Sequence, residues 1–136
     1  MTVRAKKAPR LNLVDSCGWL EYFADAPGAS FFAPALEEPA SLLVPTICLL
    51  EVFKRIVRQR DEEAALTATT AMRQGKVVDL DASLALEAAR LGLAHSLPLA
   101  DSVILATAQA HDALLWTSDA DFAGIAGVRF FGKRNV

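Results

Sequence analysis

The sequence of 136 residues has little cysteine and no long apolar run. Its two cysteines, Cys17 and Cys48, lie far apart without a CxxC pair or paired histidines, so neither a zinc site nor a disulfide framework is expected. We expect both to be small core residues, because free cysteine is generally buried. No apolar stretch approaches the roughly 20 residues that span a bilayer, so no membrane association is predicted. Residues 1–10 are basic but lead into no signal-like apolar run, and we therefore expect a cytoplasmic protein.

An excess of positive charge is also missing. The formal net charge is −2, whereas a protein that binds nucleic acid through bulk attraction would be basic overall. Four basic residues lie within positions 1–10, and four more lie between Lys54 and Arg60. Between Val77 and Val128 a single arginine stands against seven acids, which leaves a local net charge of −6. Local basic patches and metal ions would therefore have to hold any polyanion.

The sequence does have the composition of one globular domain, with 53% apolar and 22% charged residues. Short apolar runs predict five strands, at 11–14, 42–44, 77–80, 113–116 and 128–131. Helical periodicity lies between them, including a short helix over 30–38 that we expect Pro34 to interrupt. This alternation predicts a three-layer α/β/α sandwich with a mostly parallel sheet of about five strands. We assign residues 11–136 to this domain and residues 1–10 to a flexible basic arm.

Four acidic residues lie near the ends of predicted strands or the starts of predicted helices. Asp15 directly follows the first strand, and Asp119 follows the fourth. Glu51 lies on the helix after the second strand, and Asp101 opens the helix before the fourth. Ligands of an open parallel sheet gather outside the carboxyl ends of its strands. Four acids that are distant in sequence can therefore meet at one edge of the sheet.

Each acid also has a purely structural explanation. Asp15 at a strand-to-helix junction can cap the helix, and Glu51 can pair with a basic residue one turn away. Asp101 suits the positive end of its helix dipole, while Asp119 and Asp121 suit a turn. Taken singly, each acid is better explained by a structural role than by a role in metal binding. Taken together, clustered carboxylates repel one another and raise each other's pKa unless a cation neutralises them.

Clustered carboxylates favour Mg²⁺ or Mn²⁺, which bind through a few carboxylates plus substrate phosphate. Such an ion activates water to attack a phosphodiester, without a serine, cysteine or histidine nucleophile. A silent module that binds RNA or protein is one alternative. A phosphatase of the haloacid-dehalogenase type is another, but its DxD after the first strand is missing, because Asp15 is followed by Ser16 and Cys17.

Four segments resemble PIN-domain proteins, and specifically the VapC toxins of type II toxin–antitoxin systems. They are LNLVDSCGWLEYF, LLVPTICLLEVFKR, LPLADSVILATAQAHDALLWTSDADF and VRFF, and they follow the order and spacing of that family from Leu11 to Phe131. The resemblance implies an endoribonuclease that uses Mg²⁺ or Mn²⁺ to cleave structured RNA such as tRNA or rRNA. It also implies a homodimer and a cognate antitoxin that blocks the acidic groove. The arm at residues 1–10 departs from the family pattern.

The resemblance also implies roles for individual residues. The acidic quartet of the family matches Asp15, Glu51, Asp101 and Asp119. Asp121 would be an auxiliary metal ligand in the same terminal motif as Asp119, and the two can exchange roles. Ser118 or Thr117 would orient water or the carboxylates by hydrogen bonding.

A group of basic residues shares a helical face with Glu51. It consists of Lys54, Arg55 and Arg58. These side chains can hold RNA phosphates beside the metal. They can equally form a solvated face that is balanced by the acids at 61–63.

Overall fold

The computed structural model describes residues 10–132. Its five strands are β1 (Asn12–Val14), β2 (Leu42–Pro45), β3 (Lys76–Val78), β4 (Leu114–Thr117) and β5 (Val128–Phe130). They form one sheet in the order β3-β2-β1-β4-β5, and every neighbouring pair is parallel. The expected parallel α/β fold is therefore confirmed. Residues 1–9 of the predicted arm lie outside the described residues, and Arg10 approaches Asp112 at 3.9 Å.

Six helices connect the strands. They are α1 (Ser16–Phe23), α2 (Ala29–Leu36), α3 (Thr46–Gln59), α4 (Glu62–Met72), α5 (Ala82–His95) and α6 (Leu99–Ala110). Short 3₁₀ turns at Pro39–Ser41 and Ala120–Phe122 complete the described elements. The expectation that Pro34 interrupts the second helix is wrong, since Pro34 lies inside α2. Burial of Phe32, Ala35 and Leu36 holds this short helix against the core despite the lost N–H.

The strand order creates a switch point beside β1. From β1 the chain moves through β2 to β3 in one direction and then returns past β1 to form β4. Right-handed crossovers therefore place helices on both faces of the sheet. Ligand sites in such sheets lie outside the carboxyl ends of the strands where the direction reverses. In this fold those strands are β1 and its neighbours β2 and β4.

The three central strands β1, β2 and β4 are buried on both faces, whereas the edge strands β3 and β5 are partly exposed. Leu13, Val14, Leu43, Val44 and Leu115 are all 0% exposed. This burial explains why the strands read as continuous apolar runs and not as alternating ones. The rigid sheet fixes the positions of the residues that follow β1 and β4.

Among residues 10–132, no single helix has the length and apolar character of a membrane span. By length and composition alone, α5 and α6 pass as a pair bent by 113°. Most of α6 is buried within the fold, from Ser102 to Ala108.

Candidate metal centre

Three aspartates meet at the carboxyl edge of the sheet. Asp15 directly follows β1, Asp119 lies just beyond β4, and Asp101 lies in the first turn of α6. One carboxylate oxygen from each of the three lies within 4.8 Å of the other two. We call this group the acidic triad. The parallel pairing of β1 and β4 brings the first two together although they lie 104 positions apart.

The Asp15 side chain is directed by hydrogen bonds from its surroundings. Asp15 stands at the N-cap position of α1, but its carboxylate makes no cap hydrogen bond. Instead its Oδ2 accepts from Thr117 Oγ1 at 2.8 Å and from Cys17 Sγ at 3.2 Å. Burial raises the pKa of Asp15, and these hydrogen bonds oppose that rise. The helix-cap explanation of Asp15 is therefore wrong.

Asp101 shows the effect of crowded negative charge. Its pKa is raised to about 7, first because burial disfavours the charged form and then because Asp119, Asp15 and Asp121 lie nearby. Within residues 10–132 the ion pairs join Arg10 to Asp112 and Arg90 to Glu87, so none of the described basic side chains forms an ion pair with the triad. A divalent cation would remove this repulsion.

Thr117 links the two acids that follow the strands. Its Oγ1 donates to Asp15 and accepts from the backbone N–H of Asp119 at 2.9 Å. The side chain is fully buried, so this geometry is closely constrained. Asp119 Oδ1 in turn accepts from the backbone N–H of Asp121 at 2.9 Å. Asp121 itself is exposed and lies outside the triad, and Ser118 reaches the site only through the sulfur of Cys17.

Glu51 does not join the acidic triad. It lies on α3, where its Oε1 accepts a hydrogen bond of 2.7 Å from Ser16 Oγ. Within the described residues it makes no ion pair with Arg55, so the proposed pairing along the helix is not formed. Ser16 is buried at the start of α1 and therefore ties Glu51 to the segment that carries Asp15.

A groove of about 870 Å³ lies between α1, α3 and α4, and none of the triad residues line it. Cys17 and Ser118 line the groove and connect it to the triad, because Cys17 is hydrogen-bonded to Asp15 and Ser118 to Cys17. Of the three basic residues that the sequence pointed to, Arg55 lines this groove. Lys54 and Arg58 are exposed on α3 and are not among the lining residues.

Sequence reasoning missed three residues at this site: Ser16, Cys17 and Arg60. The expectation that both cysteines are core residues is right for Cys48 and wrong for Cys17, which is half-buried beside Asp15. Their position in the sequence could have indicated Ser16 and Cys17, because both directly follow the strand-end residue Asp15 and lie within reach of it. Arg60 lines the groove at the end of α3, where the helical face pattern no longer applies.

The donor set fits a hard divalent cation. Three carboxylates converge, no described basic side chain pairs with them, and burial together with their mutual repulsion raises the pKa of Asp101. Oxygen ligands of this kind suit Mg²⁺ and Mn²⁺. Asp15, Asp101 and Asp119 are the residues that would hold the ion.

Comparison with solved structures places the fold among toxin proteins. A toxin–antitoxin complex from Klebsiella pneumoniae matches with a TM-score of 0.73 and 28% identity, over 87% of this chain and 95% of that chain. The Mycobacterium tuberculosis toxin VapC20, which cleaves the sarcin–ricin loop, matches with a TM-score of 0.70 and 22% identity, over 86% and 98%. DNA-bound VapBC from Salmonella typhimurium matches with a TM-score of 0.69 and 14% identity, over 90% and 98%. The last two support the fold alone.

A search among curated proteins finds no match to this sequence. The family model described as PIN domain matches residues 13–128, which include most of β1 and all of the acids discussed above. That range covers most of the chain and the elements that form the triad. The chain therefore belongs to the PIN domain family.

Proposed function

We propose that this protein is a Mg²⁺- or Mn²⁺-dependent endoribonuclease that acts as the toxin of a type II toxin–antitoxin pair. The observation that carries the proposal is the convergence of three carboxylates within 4.8 Å. A bound divalent ion would activate water and stabilise the negative charge that develops on a phosphodiester. The likeness to the Klebsiella pneumoniae toxin–antitoxin complex, at 28% identity, supports the toxin role.

In this proposal Asp15, Asp101 and Asp119 hold the ion. Thr117 fixes Asp15 and the backbone of Asp119, which keeps two ligands at a constant separation. Glu51, held by Ser16, completes the catalytic quartet from the neighbouring helix. Asp121 contributes negative charge at the rim and is the auxiliary ligand.

The groove beside the triad supports a role in holding RNA. Arg55 and Arg60 line it, and neither makes an ion pair within the described residues. Their guanidinium groups can each bind a phosphate through two parallel hydrogen bonds. Lys54 and Arg58, exposed on the same helix, would extend this contact beyond the groove. We propose structured RNA such as tRNA or rRNA as the substrate.

The same groove is the proposed place of the antitoxin. Its walls include apolar side chains of α1, α3 and α4, among them Leu20, Phe23 and Ile56. Apolar walls that also carry the acids Glu21, Asp61 and Glu63 suit a peptide with apolar residues and positive charge. Such a peptide would cover the groove that the RNA needs and so block cleavage.

We further propose that the protein is a cytoplasmic homodimer. Three leucines on α5 and at the start of α6 are unusually exposed: Leu86 at 63%, Leu93 at 85% and Leu99 at 84%. Exposed apolar side chains that lie on neighbouring helices favour a protein interface. A cytoplasmic location agrees with a substrate such as tRNA or rRNA.

The proposal is tested by mapping cut sites in total RNA with the purified protein, with and without Mn²⁺. We expect metal-dependent cleavage, and we expect Asp101→Asn to reduce it by at least the roughly 10–100-fold that loss of a supporting partner costs. Asp112→Asn is the matched control, because Asp112 is exposed outside the site and its positive φ of 50° tolerates asparagine. Full activity of Asp101→Asn would overturn the assignment, and RNA binding without cleavage would favour the silent binding module.

A further inference from the structure

We propose that the thiol of Cys17 is a positioning group for Asp15, which together with Thr117 fixes how the carboxylate is presented to a metal ion. This inference rests on the proposed metal-dependent function. It goes beyond that function, because neither the acidic quartet nor the orienting hydroxyls include Cys17.

The geometry places two donors on one carboxylate oxygen. Cys17 Sγ lies 3.2 Å from Asp15 Oδ2, and Thr117 Oγ1 lies 2.8 Å from the same atom. Ser118 Oγ donates to the sulfur at 3.4 Å. A thiol has one proton to donate. Because the sulfur accepts a hydrogen bond from Ser118, the thiol proton is free to be donated to Asp15.

Two donors constrain a carboxylate more than one does. Rotation about the last side-chain bond of an aspartate is broad, so a single hydrogen bond leaves the carboxylate plane free to swing. Thr117 approaches from the end of β4, whereas Cys17 approaches from the first turn of α1. Bonds from two separate elements define the plane of the carboxylate and hence the direction of its second oxygen. Partners of this kind orient ligands and strengthen metal binding.

The second cysteine shows what a purely structural thiol looks like in this fold. Cys48 is 0% exposed and belongs to the apolar core. Its sulfur lies 4.0 Å from the carbonyl oxygen of Val14, the limit for a sulfur hydrogen bond. Cys17 is instead half-buried at the mouth of the groove and has three polar neighbours, in Asp15, Thr117 and Ser118. Packing alone does not require that arrangement.

The test measures Mn²⁺ binding to the full chain without RNA, by calorimetry or by the electron paramagnetic resonance signal of free Mn²⁺. We expect Cys17→Ala to weaken Mn²⁺ binding by about 10-fold, at the lower end of the cost of losing a supporting partner. Cys17→Ser keeps a donor and should restore binding to within about threefold of the original protein. Cys48→Ala is the matched control, and it should bind Mn²⁺ as the original protein does. Circular dichroism of each variant reports whether the fold is retained.

Each outcome bears on the inference in a distinct way. If the original protein binds Mn²⁺ and Cys17→Ala binds it equally well, Cys17 has no positioning role. If Cys17→Ala and Cys17→Ser are weakened equally, the thiol acts through its shape, and the hydrogen-bond inference is wrong. If the original protein binds no Mn²⁺, the proposed metal-dependent function itself fails and takes this inference with it.

Discussion

Asp101 is the residue at which the charge of the site has its largest effect. Burial and three neighbouring aspartates raise its pKa to about 7, so without a cation this group titrates near neutral pH. In the unfolded chain the same group titrates near its ordinary value of 3.8. Between these values the folded protein binds a proton that the unfolded chain has released.

This difference predicts an unusual dependence of stability on pH in the metal-free protein. A proton held only by the folded state stabilises it at low pH, and this stabilisation is lost as pH rises from about 4 through about 7. We therefore compare the melting temperature of Asp101→Asn with that of the original protein. The difference should favour Asp101→Asn more at pH 8 than at pH 5.5. Thermal unfolding of both proteins in chelator at the two pH values measures this. An equal change in melting temperature between the two pH values in both proteins would contradict the prediction.

The site residues differ in how far the sequence could predict them. Asp15 directly follows β1 and Asp119 lies just beyond β4, so the edge of a parallel sheet alone brings them together. The position of the Glu51 carboxylate relative to the triad could not be predicted. The helical pattern gives only the face on which Glu51 lies, and a hydrogen bond from the Ser16 hydroxyl sets where its carboxylate lies. Cys17 looked like Cys48 in the sequence, and only the fold distinguishes the groove from the core.

At the scale of single elements, α1 lies unusually close to β1 and α2. An ideal Cβ at Gly18 would lie 2.5 Å from Val14 Cγ1 and 2.7 Å from a ring carbon of Phe32. Real side chains do not tolerate such distances, so either the helix or its neighbours would have to move. Because Asp15 to Cys17 precede Gly18 directly, a shift of α1 would also move Asp15 and Cys17.

Gly18→Ala should therefore destabilise the protein although alanine favours helices. Overpacking costs about 1–3 kcal/mol, and the gain in helix propensity returns about 1 kcal/mol. We expect the free energy of unfolding to fall by up to about 2 kcal/mol in urea titrations. Gly132→Ala is the matched control, since Gly132 is exposed and an added Cβ would meet Phe130 at an ordinary 3.4 Å. Equal stability of the two variants would contradict the packing argument.

The elements themselves were largely predictable. All five strands overlap the short apolar runs, and for β1, β2 and β4 the reason is that parallel strands buried on both faces need apolar residues throughout. Pro34 was misjudged because its effect depends on tertiary contacts of α2, which local propensity does not include. The starts of α4 and α5 are set locally. The side chains of Asp61 and Asp81 accept hydrogen bonds from the backbone N–H groups of Ala64 and Leu84, as ordinary N-caps do.

At the scale of the whole molecule, the fold concentrates negative charge that the sequence spreads over more than 100 positions. The triad joins one residue directly after β1, one on α6 and one in the segment after β4. The resulting repulsion opposes folding unless a cation is present. Metal binding and folding stability are therefore expected to be coupled.

This coupling predicts that Mn²⁺ raises the melting temperature. An ion that binds only the folded state at 100 times its dissociation constant adds about 2.7 kcal/mol. For a domain of this size that corresponds to a rise of roughly 5–10 °C in differential scanning fluorimetry. Asp101→Asn should lose most of the rise, whereas Asp112→Asn should keep it. A similar rise in both variants would place the ion outside the triad.

The parallel α/β architecture and the family could be read from the order of the amino acids, because buried parallel strands and the acids that follow them leave a recognisable linear pattern. The same pattern indicated four acids near predicted strand ends and helix starts. The folded structure was needed to establish which acids meet, that Ser16 holds Glu51, and that Cys17 faces Asp15. These outcomes depend on distances between side chains from different elements, and no local pattern encodes such distances.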